Sequence, residues 1–185
     1  MYYRREIKDG IYHLSGNDRR LSRFENMFTL PKGVSYNSYL ILDQKTCLID
    51  GMDNAVRESF DSAVSSLLDG RSLDYFIIQH VEPDHCASIN DILIQHPQAK
   101  LVISRLGLNM LKQFFPDAAN MGINYDDISI IVKEGDSLDL GEHKLQFIGA
   151  ANVHWPEVIM TYDQTSKVLF SADAFGAFRT PDGHI

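Results

Sequence analysis

The sequence predicts an α/β layered domain, because strand-like segments alternate with helical segments and a further run of strands follows them. Residues 74–80 form a nearly continuous apolar run, which is typical of a strand buried on both faces. Residues 56–68 carry apolar side chains at helical spacing, which indicates an amphipathic helix. In the last third of the chain, short β-rich runs separated by turns replace this alternation.

The first two thirds of the chain are expected to alternate strands and helices, with a hairpin turn over residues 43–45. Pro97 and Pro116 would each end a helix, because proline cannot continue one. In order, the expected elements are strands at 11–14, 38–42 and 46–50, a helix at 56–68, a strand at 74–80, a helix at 87–96, a strand at 100–104 and a helix at 106–115.

The last third of the chain is expected to add four strands, at 128–133, 145–148, 158–162 and 167–171. Residues 180–185 have the composition of a turn and not of a closing element, so we expect the native gene to continue beyond them. The chain is therefore expected to be one domain, residues 1–185, whose C-terminal part is missing.

Composition excludes several classes of protein. Hydrophobic residues make up 44% of the 185 residues, which is enough for a sizeable core and too many for a disordered chain. A net charge of -8 without a basic run disfavours nucleic acid and membrane surfaces as partners. The chain shows neither a secretory signal nor an apolar run of the roughly 18 residues that a membrane-spanning helix needs. Cys47 and Cys86 are too few for a disulfide framework, so a cytoplasmic location is expected.

The sharpest motif places candidate metal ligands where the buried strand ends: His80, Glu82, Asp84 and His85. In an extended segment, side chains two positions apart share a face, so the first three would point the same way. Strand ends are also where α/β sheets place ligands. The alternative is a polar strand-to-helix loop, with Asp84 as a helix cap and incidental histidines.

Two distant residues favour the metal interpretation. His154 lies beside Trp155 between two predicted strands, and Asp173 follows the last predicted strand. Taken singly, such a histidine is more often a packed residue, and such an aspartate is more often a turn former. Packing and turn formation explain each residue alone, but they explain poorly why all these residues occur in one chain.

The order of these segments resembles the diiron domain of flavodiiron proteins, which belongs to the metallo-β-lactamase superfamily. The resemblance rests on the His-x-Glu-x-Asp-His run at 80–85, the His-Trp-Pro segment from His154 and the Asp-Ala-Phe-Gly segment from Asp173. Residues 18–21 and 30–41 also look like the family's early segments. The resemblance implies a metallo-β-lactamase-like αββα sandwich, incomplete here at its C-terminus.

The resemblance also implies ligand roles for a non-haem diiron centre. His80, Glu82 and His154 would hold one iron, Asp84 and His85 would hold the other, and Asp173 would bridge them. The family varies in whether the position of His85 coordinates. A further family histidine on the second iron lies well downstream of Asp173, and that role is not assigned to His184.

Iron is expected rather than zinc, because zinc hydrolases of this superfamily usually carry histidine at the position of Glu82. The carboxylate makes the site richer in oxygen and suits ferrous iron, although zinc remains a possible substitute. Two like charges about 4 Å apart cost about 4 kcal/mol at an effective dielectric of 20, so metal should stabilise the fold. Cys86 is expected to be a packing residue, and His13, His96 and His143 are expected to lie at the surface.

Three functions stay open at this stage, and the sequence does not decide whether the protein is an enzyme. The first is reduction of dioxygen or nitric oxide with electrons from an external donor, since the chain shows no FMN site. The second is an oxygen sensor that binds dioxygen stably and signals to a partner protein. The third is a zinc-dependent hydrolase, against which Glu82 argues. A homodimer is the expected assembly.

Overall fold

The structure is a computed structural model that describes residues 2–180, with side chains from residue 4 onward. Residues 181–185, including His184, lie outside the described residues, so the turn-like ending expected there stays a prediction. In chain order the elements are β1 Tyr2–Lys8, β2 Ile11–Asp18, β3 Arg23–Phe24, β4 Phe28–Thr29, β5 Val34–Leu42, β6 Thr46–Ile49, α1 Arg57–Leu68, β7 Tyr75–Ile78, α2 Pro83–Cys86, α3 Ile89–Gln95, β8 Lys100–Ser104, α4 Arg105–Phe114, α5 Tyr125–Ile128, β9 Ser129–Val132, β10 Ser137–Asp139, β11 Lys144–Gly149, β12 Ile159–Asp163 and β13 Val168–Phe170.

Two sheets carry the fold. The larger has seven strands in the order β1-β2-β5-β6-β7-β8-β9, and the smaller has four in the order β10-β11-β12-β13. Strands β6 to β9 pair in parallel, whereas β1, β2, β5 and β6 pair antiparallel, as do all strands of the smaller sheet. The predicted hairpin is confirmed, because β5 and β6 pair antiparallel across residues 43–45. A short hairpin of β3 and β4 stands apart from both sheets.

Alternating side chains of the larger sheet enter two separate cores. In β7, Phe76 and Ile78 face the helices, whereas Ile77 faces the smaller sheet. The apolar run at 74–80 is therefore explained by burial on both faces. Fully burying one such side chain contributes roughly 1.5–3 kcal/mol, so the two cores together hold the layers in place.

The layer order agrees with the α/β fold that the sequence predicts, with one difference. The five α-helices of the described residues lie against one face of the larger sheet, and the smaller sheet covers its other face. Within residues 2–180, the outward face of the smaller sheet carries no helix, so the second helical layer of an αββα sandwich is not among the described elements. Leu169 on β13 is 42% exposed. The expectation of a missing C-terminal part stays a prediction.

The prediction of a single helix at 87–96 is wrong about where the helix begins. The structure has two short helices instead, α2 and α3, and Ser88 lies between them. Pro83 occupies the first position of α2, where its missing N–H costs nothing. Ser88 is held by Met52, whose N–H donates to the Ser88 hydroxyl at 3.0 Å. The second half of the ligand motif, with Asp84 and His85, therefore lies in a short helix that is separate from α3.

The parallel strands and the smaller sheet together create a cleft at one end of the molecule. Segments following β6, β7 and β13 and the segment preceding β12 meet there. Carboxyl ends of parallel strands are where such sheets expose loops to ligands. Among the described helices, none combines the length and apolarity that crossing a bilayer requires.

Candidate metal centre

Six side chains predicted from sequence converge in this cleft although they lie on four separate segments. Glu82 ends the segment after β7, and α2 carries the next two candidates. His80 lies on the same segment after β7, His154 comes from the loop before β12, and Asp173 comes from the loop after β13. The structure brings all six together, namely His80, Glu82, Asp84, His85, His154 and Asp173.

The first group surrounds one oxygen of Glu82. Its Oε2 atom lies 3.0 Å from Nε2 of His80 and 3.0 Å from Nε2 of His154. Oδ2 of Asp173 lies 3.6 Å from both of these nitrogens. The donor atoms of this group all lie within 4.8 Å of one another. Metal–ligand bonds of about 2.0–2.2 Å require donor spacings of this size.

The second group shares Asp173 with the first. Nε2 of His85 lies 3.1 Å from Oδ1 of Asp173 and 3.6 Å from Oδ2 of Asp84. Because Oδ2 of Asp173 faces the first group, its two oxygens are divided between the groups. This is the geometry that a bridging carboxylate requires.

Buried carboxylate oxygens without partners fit a metal site. Oε1 of Glu82 and Oδ1 of Asp84 are buried and have no hydrogen-bond partner among the described residues. An unpaired buried carboxylate oxygen is costly unless a cation neutralises it. The two groups together offer the nitrogens of three imidazoles and the oxygens of three carboxylates. Such an oxygen-rich set suits iron better than tetrahedral zinc.

The histidine pKa values reflect the same crowding of charge. Burial lowers the pKa of His80, but hydrogen bonds to Glu157 and Glu82 outweigh it and raise the pKa to about 9. Burial also opposes the charge on His85, but the negative charge of Asp84 and the contact with Asp173 raise its pKa well above the ordinary value. Two divalent cations can take over the role of these two protons, which links metal binding to proton release.

Glu157 supports the first group and was not predicted from sequence. Its Oε1 lies 2.6 Å from Nδ1 of His80 and accepts the Val81 N–H at 3.1 Å. The ring edge of Trp155 meets the His80 ring from another side, with centroids 5.1 Å apart. The signal was available, because Glu157 lies only three positions after a candidate ligand.

Asp50 supports the second group and was also missed. Its Oδ2 lies 3.2 Å from Nδ1 of His85, and its Oδ1 accepts the Gln79 N–H at 2.7 Å. Asp50 directly follows β6, the same kind of strand end that identified the ligand motif after β7. The next residue, Gly51, donates its N–H to the His85 carbonyl at 2.7 Å.

A cavity of about 370 Å³ opens onto the candidate ligands. Its outer wall is aromatic, because Phe178 lies against Phe24 and Phe28 with ring centroids 5.1 and 5.3 Å apart. Glu25, on the turn between β3 and β4, lines the same cavity. Partial burial and the negative charge of Glu82 raise the pKa of Glu25. His154 is the most exposed ligand of the first group, with 52% of its side chain accessible.

The remaining histidines of the described residues, together with Cys86, lie outside both groups. Cys86 is buried in the helix-side core, as predicted for a packing residue. The prediction that His143 lies at the surface is wrong: it is 8% exposed, and its Nδ1 lies 2.7 Å from Oδ2 of Asp163. This contact joins two segments at the far end of the sheets. His13 and His96 are half-buried.

Comparison with protein families gives a match over residues 34–184 to the model described as ODP family beta lactamase. The putative diflavin flavoprotein A 2 of Synechocystis is 42% identical over 155 residues, covering 83% of this chain and 25% of that protein. The nitric oxide reductase of Moorella thermoacetica is 33% identical over 171 residues, covering 92% of this chain and 41% of that protein. The chain thus spans about a quarter to two fifths of the length of these curated relatives.

Solved structures match nearly the whole chain. A flavo di-iron protein from Thermotoga maritima, solved as a mutant, superposes with a TM-score of 0.87 at 29% identity, covering 98% of this chain and 44% of that one. The rubredoxin oxygen:oxidoreductase of Desulfovibrio gigas also gives a TM-score of 0.87, at 28% identity, covering 97% of this chain and 43% of that one.

Proposed function

The chain belongs to the ODP family of beta-lactamase domains, and on that premise we propose that it holds two iron ions at which dioxygen or nitric oxide is bound and reduced. One observation carries this proposal: Asp173 divides its two oxygens between two groups of donor atoms. The names of two similar proteins, a nitric oxide reductase and a rubredoxin oxygen:oxidoreductase, support dioxygen or nitric oxide as the substrate.

The proposed ligand assignment follows the two groups. His80, Glu82 and His154 would hold the first iron, Asp84 and His85 would hold the second, and Asp173 would contribute an oxygen to each. When bound, a ferrous pair supplies two electrons and open coordination positions for a diatomic ligand. The carboxylate of Glu82 provides an oxygen donor to the first iron, and this favours iron over zinc.

The residues around the ligands would control what reaches them. The aromatic side chains of Phe24, Phe28 and Phe178 give the approach one apolar wall, which suits small uncharged gases. Asp50 and Glu157 hold the rings of His85 and His80 from behind, so that both Nε2 atoms face the cleft. These contacts preorganise the ligands before metal or gas arrives.

Full reduction of dioxygen to water takes four electrons, so turnover needs a donor in addition to the ferrous pair. We propose that a flavin-bearing domain or a separate redox protein supplies them. The sensor hypothesis differs in one respect, since a sensor would react once with dioxygen and would not turn over when a donor is added.

The proposal can be tested with protein loaded with ferrous iron under anaerobic conditions. We expect two irons per chain and uptake of dioxygen or nitric oxide, with repeated turnover when a chemical reductant and a flavin are supplied. The variant Glu82→Ala should lose iron and gas uptake together, whereas His96→Ala, outside both groups, should keep both.

Two results would contradict the proposal. Protein that retains no iron, or iron-loaded protein that reacts with neither gas, would overturn it. Hydrolysis of ester or phosphodiester substrates by the zinc-loaded form alone would favour the zinc hydrolase instead. A single reaction with dioxygen that does not repeat with added reductant would favour the sensor.

A further inference from the structure

We infer that Glu157 is a positioning residue for His80, which it fixes as an Nε2 ligand of the first metal; this inference rests on the proposed function. Oε1 of Glu157 lies 2.6 Å from Nδ1 of His80. The other ring nitrogen, Nε2, lies 3.0 Å from Oε2 of Glu82, on the cleft side. The two ring nitrogens of His80 therefore have different roles: Nδ1 contacts Glu157, and Nε2 faces the cleft.

The hydrogen bond at Nδ1 decides which nitrogen can bind metal. A neutral imidazole carries one N–H and one lone pair, and the N–H goes to the side where an acceptor waits. The carboxylate of Glu157 is such an acceptor, so the lone pair is left on Nε2, facing the cleft. A carboxylate behind a ligating histidine also orients the ring and raises its basicity.

A role confined to holding the backbone does not explain a charged residue at this position. Glu157 also accepts the Val81 N–H at 3.1 Å, but a neutral glutamine could accept the same hydrogen bond. The side chain is buried, and Oε2 has no hydrogen-bond partner among the described residues. Burying a negative charge is unfavourable unless a positive group compensates it. The imidazole and the metal behind it provide that compensation.

The position of Glu157 also links the two sheets at the site. It lies on the loop that carries His154, and the Ser104 hydroxyl donates to its carbonyl oxygen at 2.9 Å. Two residues later, the Ile159 N–H donates to the Gln79 carbonyl at 3.0 Å. One loop leading into β12 thus supplies a ligand and fixes another ligand that follows β7.

The chain offers a matched control for a buried carboxylate paired with histidine. Oδ2 of Asp163 lies 2.7 Å from Nδ1 of His143, and Asp163 is fully buried. This pair belongs to the far end of the sheets and to neither candidate metal group. Asp163→Asn should therefore show how much stability is lost when a buried carboxylate beside a histidine becomes neutral. It should leave metal binding unchanged.

The test uses Co(II) as the probe, because its absorption spectrum reports on nitrogen and oxygen ligands whatever the natural metal is. Metal-free wild type, Glu157→Gln, Glu157→Asp and Asp163→Asn are titrated with Co(II) after circular dichroism has checked their folding. We expect Glu157→Gln to bind Co(II) roughly 10–100-fold more weakly than wild type. Glu157→Asp keeps the charge but is one methylene shorter, so its loss should be smaller. Asp163→Asn should bind like wild type.

The outcomes separate this inference from the proposed function. Wild-type affinity in Glu157→Gln, or an equal loss in Asp163→Asn, would overturn the inference and leave the proposed function standing. Should Glu157→Gln fail to fold, wild-type affinity in Glu157→Asp would overturn it. Wild-type protein that takes up no Co(II) would overturn both.

Discussion

Oδ1 of Asp173 lies 3.1 Å from Nε2 of His85, although the two residues are 88 positions apart in the chain. The other oxygen of this carboxylate faces the first group of donors, so one side chain after β13 completes two candidate metal sites. Because His85 lies on α2 and Asp173 follows the last strand of the smaller sheet, metal binding at both residues should tie these layers together.

Metal removal is expected to destabilise the protein. Three candidate carboxylates, Glu82, Asp84 and Asp173, crowd around the cleft and repel one another without cations. A ligand that binds only the native state at 100 times its dissociation constant adds about 2.7 kcal/mol of stability. Thermal melts before and after chelation should therefore show a lower melting temperature for metal-free protein. Identical melting temperatures would contradict the account.

Glu82→His should shift metal preference toward zinc, because it replaces the oxygen donor shared by His80 and His154 with nitrogen. Metal analysis after loading with equimolar iron and zinc measures the change. Glu25→His is the matched control, since it adds a histidine at the mouth of the same cavity. If the iron-to-zinc ratio stays at the wild-type value in Glu82→His, Glu82 does not set metal choice.

Gly51→Ala should displace the segment that carries His85. A Cβ atom at position 51 would lie 2.5 Å from the Ser88 hydroxyl and 3.0 Å from the His85 carbonyl oxygen, so Ser88 must move and the His85 segment is pushed away. Such overpacking costs typically 1–3 kcal/mol, about the loss expected in the free energy of unfolding. Metal content should fall toward one ion per chain, because the second group is the one disturbed.

The control for this change is Gly149→Ala. Its added Cβ atom would meet only the flexible side chain of Glu134, at 3.1 Å. Denaturant unfolding and metal analysis of both variants provide the comparison. Equal stability and equal metal content in the two variants would show that close approach at Gly51 is unimportant.

Asp163 should contribute stability that disappears in acid. Burial opposes its charge, but hydrogen bonds from Ser166 and His143 outweigh burial and lower its pKa below the ordinary value. A lowered native pKa stabilises the fold above the unfolded value of about 3.9, and this contribution is lost as pH falls through the native pKa. Asp163→Asn should therefore differ from wild type most at neutral pH.

The measurement is the free energy of unfolding of both metal-free proteins at a series of pH values. The gap between wild type and Asp163→Asn should narrow on acidification from about pH 5 to pH 2. Using metal-free protein keeps metal release out of the comparison. A gap that stays constant over this range would mean that the carboxylate charge of Asp163 does not stabilise the fold.

The sequence singled out residues that the structure brings together, because most of them follow strand ends, where local pattern and tertiary position coincide. The apolar run at residues 74–80 predicts β7, and the ligand motif begins at the end of this run. The split between α2 and α3 was missed because Ser88 is held by Met52, a residue from a distant loop. Local helix signals do not report such a contact.

The sequence offered a position for each supporting residue, but which ligand each one contacts could not be predicted from local pattern, for the same reason. Glu157 is 77 positions from His80, and only the packing of the two sheets brings them together. His143 looked like a surface residue because its turn is polar, whereas its partner Asp163 comes from another hairpin. The cytoplasmic location, the homodimer and the continuation of the domain stay predictions.

The most direct test of the central claim is anomalous diffraction at the iron edge from crystals of protein grown with iron. The account predicts two peaks roughly 3.5–4 Å apart, with Asp173 between them, Glu82 and His154 at one and His85 at the other. A single peak, or a pair of peaks that Glu82 does not touch, would contradict it.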